Sequence, residues 1–126
     1  MKLRILAGAM LAVAPVASAA AMPVSTFLAK ADKLQKKGAL AIFSGDLKLL
    51  TRQVKTDAAE LRAENKAAAA AGRQKAYCTP AAGVKLSDRD ILGAMQAVPP
   101  AERARTSTKA ALRSYFARRF PCPAKT

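Results

Sequence analysis

Apolar residues recur every three or four positions along most of this chain, which is the spacing of one face of an α-helix. The first such segment predicts a helix over residues 26–37, with Ser25 as its N-cap and Gly38 as its C-terminal stop. Lysines occupy the opposite face. The apolar face of this helix is formed by Phe27, Leu28, Ala31 and Leu34.

A second, longer helix is predicted to begin at about Asp46, after a short apolar piece at residues 40–43 and a break at Ser44 and Gly45. Asp46 lies where a negative charge suits the helix dipole. Basic residues project to a different side of this helix from its apolar stripe. The stripe consists of Leu47, Leu50, Val54 and Leu61.

The continuation of this helix, residues 62–71, ends in five consecutive alanines before Gly72. Alanine has high helix propensity but little side chain to bury. The segment therefore fits an exposed helical arm, which would act either as a spacer or as a projecting contact surface. We favour the spacer.

A third helix, over residues 88–97, has the clearest start in the sequence. Ser87 is placed as its N-cap, Asp90 as the reciprocal partner, and Leu86 to pack against Ile91. This capping role accounts for Asp88 and Asp90 without catalytic chemistry. Pro99 and Pro100 end the helix.

The last helix is predicted to be capped by Thr106 or Ser107 and to stop before residues 120–123, which contain two prolines. Its core-facing residues are Leu112, Tyr115 and Phe116. No stretch alternates as a strand does, and no glycine-turn hairpin signal is present. We therefore predict an all-α fold, a small domain of four to five helices over residues 22–126, with N-terminal helices at 24–72.

The N-terminus has the layout of a cleavable export signal. Residues 1–21 combine Lys2 and Arg4, an apolar run and a small-residue end, and the run is too short for a membrane anchor. Nothing later in the chain is long and apolar enough to span a bilayer. We predict cleavage after Ala19 or Ala21 and a periplasmic location, with no integral membrane segment.

Two cysteines, Cys78 and Cys122, lie 44 positions apart. In an oxidising compartment such a pair indicates a disulfide, although free thiols or an intermolecular link remain open. The bridge would enclose a stapled helix pair over residues 77–123.

Residue composition limits the chemistry. The chain has no histidine, so the usual general base is missing, and no partner is available to complete a zinc site. Isolated glycines form no phosphate-binding loop. We predict that the protein is not an enzyme and uses no metal or cofactor.

The net charge of the chain is the last property that bears on its function. Twenty of the 22 basic residues and all eight acidic ones follow the predicted signal, which leaves about +12 and favours an acidic partner. Nucleic acid is not expected in the periplasm. Arg105, Lys109 and Arg113 recur at every fourth position beside the apolar face of the last helix, and we select them as the candidate partner-binding residues.

The segment around the cysteines contains a set of short motifs that resembles a known pattern. These motifs are Tyr77-Cys78-Thr79-Pro80, Gly83-Val84-Lys85-Leu86-Ser87, Ile91-Leu92, Val98-Pro99-Pro100-Ala101-Glu102-Arg103, Ala110-Ala111-Leu112-Arg113 and Phe120-Pro121-Cys122-Pro123. The pattern is similar to the C-terminal half of the Rap/Tai-type immunity proteins of type VI secretion. This resemblance implies an exported helical protein with a disulfide-linked helix pair that binds a peptidoglycan amidase effector. The alternative is a basic envelope protein that associates with anionic lipid or cell-wall polymer.

Overall fold

Helices dominate the computed structural model, which describes residues 21–124. The all-α prediction is confirmed. The predicted export signal lies outside the described residues except for Ala21. In chain order the elements are α1 (Val24–Lys37), a 3₁₀ helix (Gly38–Phe43), α2 (Gly45–Ala70), α3 (Asp88–Gln96), a second 3₁₀ helix (Pro100–Glu102) and α4 (Thr108–Arg119).

The start of α1 differs from the prediction. The helix begins at Val24, with Pro23 at the N-cap position and no side-chain cap, so the capping role of Ser25 is wrong. Instead, the N–H of Val24 donates to Thr106 O (2.8 Å) and the N–H of Ser25 to Arg103 O (3.0 Å). Backbone carbonyls of the connector before α4 thus satisfy donors that a free helix end leaves unpaired.

Helices α1 and α2 form an antiparallel hairpin. Gly38 ends α1 with a φ of 56°, a conformation that favours glycine, as the sequence predicts. Ser44 caps α2 by accepting a hydrogen bond from the N–H of Asp46 (3.2 Å). Across the hairpin, Lys30 Nζ lies 2.9 Å from Asp46 Oδ1. The ion pair holds the start of α2 against α1.

The C-terminal part of α2 continues the same helix, which spans 26 residues, about 39 Å. Over its length, α2 packs most extensively against α4. Within residues 62–71, Ala68 is buried and Asn65 is half-buried, and the other residues are exposed. The end falls where predicted: Gly72, with a φ of 69°, allows Arg73 N–H to donate to Ala68 O (2.8 Å) in a Schellman arrangement. The role of this segment as a spacer or as a contact surface stays a prediction.

Asn65 ties the chain that follows α2 back onto that helix. Its Nδ2 donates to Tyr77 O (2.8 Å) and its Oδ1 accepts from the N–H of Ala76 (3.0 Å). The side chain therefore satisfies a donor and an acceptor of an irregular segment.

We expect Asn65→Ala to lower the free energy of unfolding by about 1–2 kcal/mol, because two backbone groups lose their partner. Urea unfolding, with the midpoint compared at unchanged slope, measures the loss. Gln74→Ala, a truncation of an exposed side chain in the same segment, serves as the control and should change stability by no more than about 0.5 kcal/mol. Equal effects of the two changes would contradict the tethering role.

The capping predictions for α3 and α4 are confirmed. Ser87 and Asp90 form a reciprocal capping box, in which Ser87 N–H donates to Asp90 Oδ2 (2.9 Å) and Asp90 N–H to Ser87 Oγ (3.2 Å). Of the two candidates for α4, Ser107 is the cap, and it accepts from the N–H of Ala110 (3.0 Å).

One hydrophobic core unites the four α-helices and Tyr77. The N-terminal helices therefore pack on the stapled half, as a single domain does. Among the predicted core residues of α4, Leu112 and Phe116 are buried and Tyr115 is half-buried. The buried members are Val24, Phe27, Ala31, Leu50, Leu61, Tyr77, Ala94, Met95, Ala111, Leu112 and Phe116.

Candidate binding surfaces

The predicted basic row divides into two parts. Because α4 begins at Thr108, Arg105 lies in the connector before the helix, and only Lys109 and Arg113 share a helical face. Lys109 Nζ lies 3.0 Å from Glu60 Oε2 and also pairs with Glu64, while Arg113 Nη2 lies 3.0 Å from Glu64 Oε2. Both cations are thus matched by carboxylates of α2, and partner binding by this row stays a prediction.

Among the described residues, the carboxyl groups of Asp46, Glu64 and Asp90 each have a pKa below the usual range. The ammonium of Lys109, and then the guanidinium of Arg113, lowers the pKa of Glu64. The N–H of Ser87 lowers the pKa of Asp90, and Lys30 lowers the pKa of Asp46. Each of these groups therefore favours the folded state in its charged form.

We expect stability to fall in acid. A carboxyl group whose folded pKa is lower than its unfolded pKa contributes fully above the unfolded value, about 4, and that contribution is lost as the pH falls through the folded pKa. Urea unfolding at pH 7, 4 and 3 should show a decline that begins near pH 4. Glu64→Gln should be less stable at pH 7 and decline less steeply, whereas Glu102→Gln should follow the parent protein. Parallel curves for Glu64→Gln and the parent would contradict the assignment.

The disulfide prediction is confirmed. Cys78 and Cys122 are joined with a Cα–Cα distance of 4.8 Å, and none of the described cysteines is free. Beside the bridge, the N–H of Cys78 donates to Phe120 O (2.8 Å). The chain entering the loop before α3 is thereby fixed to the end of α4.

A surface that the sequence analysis did not select lies at the tip of the α1–α2 hairpin. Leu40, Ile42 and Phe43 are 69%, 65% and 79% exposed, and none of the residues of their 3₁₀ helix is buried. We call these three side chains the apolar tip. Clusters of exposed large apolar side chains mark interaction surfaces more often than single ones do. The sequence did contain a sign of this surface, because three large apolar residues within four positions cannot all face the core of the protein.

Lysines flank the apolar tip in the sequence. Lys33, Lys36 and Lys37 occupy the last turns of α1, and Lys48 occupies the first turn of α2. These four residues form the lysine rim. Over residues 24–55, seven basic residues against two acidic ones leave a net charge of +5.

The sequence pattern also gave no prediction for one buried carboxylate, that of Asp57. Asp57 is 3% exposed and accepts hydrogen bonds from Thr108 Oγ1 (2.6 Å) and Gln53 Nε2 (2.9 Å). The signal was its position on the apolar stripe of α2, three residues after Val54 and four before Leu61. Its contacts join α2 to the first turn of α4, so they serve the fold rather than an exposed site.

The described residues contain neither of two further kinds of site, a cluster of metal ligands and a helix that spans a bilayer. Among residues 21–124, no three acidic or cysteine side chains come together as metal ligands would. None of the helices in that range combines the length and apolar composition of a bilayer span.

No protein-family model, curated protein or solved structure matches this chain.

Proposed function

We propose that this protein is an exported, non-catalytic binding protein that inserts its apolar tip into a cleft of a partner protein. The observation that carries the proposal is the exposure of Leu40, Ile42 and Phe43 at the end of a helical hairpin. The resemblance in the stapled segment supplies the class of partner, a peptidoglycan amidase effector. Occupying the substrate cleft of such an enzyme would block it sterically.

The hairpin holds the apolar tip in place, so the tip would lose little conformational entropy on binding. The Ser44 cap and the Lys30–Asp46 ion pair fix its base. Below that base, α1 and α2 pack into the core shared with α3 and α4. A surface already held in its bound conformation loses less entropy on association, which suits an inhibitor.

The tip also has the composition of an interface anchor. Burying a large apolar side chain is favourable by about 1.5–3 kcal/mol. In most interfaces a few fully buried side chains carry most of the binding free energy. The lysine rim selects a complementary surface. The partner cleft is therefore expected to be apolar at its centre and acidic at its edge.

The direct test is inhibition of cell-wall amidases from the source organism, assayed on purified peptidoglycan with the oxidised protein. We expect one enzyme to be inhibited stoichiometrically. The double substitution Ile42→Ser and Phe43→Ser should weaken inhibition by at least about 100-fold, since two anchors are lost. Both side chains are exposed, so the fold should persist, as circular dichroism would show.

A matched control separates the tip from the predicted basic row. Arg105→Glu changes an exposed residue outside the apolar tip. If the tip carries the contact, this variant inhibits as the parent does. If Arg105→Glu abolishes inhibition and the tip variant retains it, the contact lies at the connector before α4. Absence of inhibition of every amidase tested would contradict the enzyme-blocking function.

A second function is supported by the lysine rim. Apolar side chains surrounded by lysines are also the composition of a segment that lies in the interface of an anionic membrane. Flotation with phosphatidylglycerol vesicles, compared with phosphatidylcholine vesicles, tests this association. Binding that requires the anionic lipid and is lost at high salt would support it, whereas an amidase complex should largely survive the salt.

A further inference from the structure

A pocket on the opposite end of α2 from the apolar tip has a basic rim and an apolar floor. Its volume is about 330 Å³, and it lies between the C-terminal half of α2 and the chain around Tyr77 to Leu86. Arg62, Lys66 and Lys75 contribute the basic groups. Tyr77, Leu86 and Phe116 are among its apolar lining residues, and we call the site the basic pocket.

The cations of the basic pocket have no carboxylate partner in the described part of the chain. Arg62, Lys66 and Lys75 take part in no ion pair there, and no acidic residue lines the pocket. Glu64 lies between Arg62 and Lys66 in sequence, but its carboxylate pairs with Lys109 and Arg113 of α4. The Glu64 carboxylate is thus paired with cations of α4 rather than with Arg62 or Lys66.

Arg62 and Lys66 lie four residues apart on α2, so their side chains emerge from the same helical face. Two like charges at this spacing disfavour the helix slightly. An anion bound between them would remove that repulsion. The unpaired basic groups therefore form a site for negative charge.

The walls of the basic pocket are fixed in place. Asn65 holds Ala76 and Tyr77 onto α2 through two hydrogen bonds. The disulfide sulfur of Cys122 lies 3.7 Å from Lys75 O, which places the Lys75 backbone against the end of the stapled pair. A preformed pocket of this kind binds a small ligand without the entropy cost of ordering a loop.

We propose that the basic pocket binds a small amphiphilic anion. The carboxylate or phosphate of the ligand would lie among Arg62, Lys66 and Lys75, and its apolar body would cover Tyr77 and Leu86. The volume is at the small end of the range for ligand pockets, about 300–1,000 Å³, which fits a single ring or a short chain. This site is separate from the apolar tip and goes beyond the proposed function.

Isothermal titration calorimetry with octanoate and with octyl phosphate tests the site, and octanol serves as the uncharged probe. We expect both anions to bind below their micelle-forming concentrations and octanol to bind at least about tenfold more weakly. The relative affinity of the two anions identifies the preferred head group. Equal affinity for octanol would overturn the role of the basic rim.

Two variants make the test specific. Arg62→Gln with Lys66→Gln should weaken binding of the anions at least about tenfold, because two charge-assisted hydrogen bonds are lost. Arg52→Gln with Lys55→Gln is the matched control, since it neutralises another exposed basic pair on the same helix, three residues apart and outside the lysine rim. Equal losses in the two variants would show attraction by net charge alone and would overturn the proposal.

A third variant addresses the volume of the basic pocket without a change in charge. Ala69→Leu adds bulk to a lining residue and keeps high helix propensity. It should reduce binding of octanoate, and amide resonances around residues 62–66 and 77–86 should shift on titration only in the parent protein. The apolar-tip variant should bind octanoate normally, so failure of the pocket and failure of the tip are distinguishable. Undiminished binding to Ala69→Leu would place the ligand elsewhere.

Discussion

Replacing Cys78 and Cys122 together by serine is expected to lower the free energy of unfolding by about 4 kcal/mol. The bridge closes a loop that spans 44 positions, and such a closure restricts the unfolded chain by about that amount in the chain-entropy model. The native contact between Cys78 N–H and Phe120 O does not depend on the sulfurs and should remain. Domains of this size are stable by only about 5–15 kcal/mol, so the loss is a large share.

Chemical denaturation of the parent and the double variant, each with and without reductant, measures the effect. Reductant should lower the parent to the level of the variant and leave the variant unchanged. An unfolding midpoint that is the same for oxidised and reduced parent would contradict the prediction. Hydrogen exchange adds a local measure, because amides around residues 76–86 should lose protection more than those of α1.

Thr108→Val is the second change with a large expected effect. It preserves the shape of a fully buried side chain but removes the hydroxyl that donates to Asp57 Oδ2. The carboxylate would then keep only Gln53 as a hydrogen-bond donor. Leaving a buried acceptor without its donor costs about 1–3 kcal/mol, and since Asp57 is almost fully buried we expect a loss of about 2–3 kcal/mol.

The control for Thr108→Val is Thr56→Val, the same substitution at the exposed residue beside Asp57. It should alter stability by no more than about 0.5 kcal/mol. A double-mutant cycle with Asp57→Ala isolates the pair. If Thr108→Val costs as much with Asp57 absent as with it present, the two side chains are not energetically coupled.

The parts of the fold that the sequence predicted are those decided by neighbours along the chain. Gly38 and Gly72 end helices because a glycine accepts the positive φ that each turn requires. Ser87 and Asp90 form their capping box within four residues. Such interactions depend on no distant partner.

The parts that the sequence did not predict depend on distant residues. The start of α1 is set by hydrogen bonds to Thr106 and Arg103, and these made the cap at Ser25 unnecessary. The burial of Asp57 depends on Thr108. Ion pairing of Lys109 with Glu60 and Glu64 requires α4 to lie along α2, which periodicity alone does not show.

The first residues of α1 and the residues that precede α4 are hydrogen-bonded to each other, which bears on how fast the protein can fold. Met22 O accepts from the N–H of Thr108 (2.9 Å), and Val24 N–H donates to Thr106 O (2.8 Å), so the beginning of the described chain pairs with a segment near its end. Contacts between residues so far apart in sequence slow folding, because the intervening chain must first be brought together. During synthesis, the first turn of α1 stays without its hydrogen-bond partners until the connector before α4 has emerged.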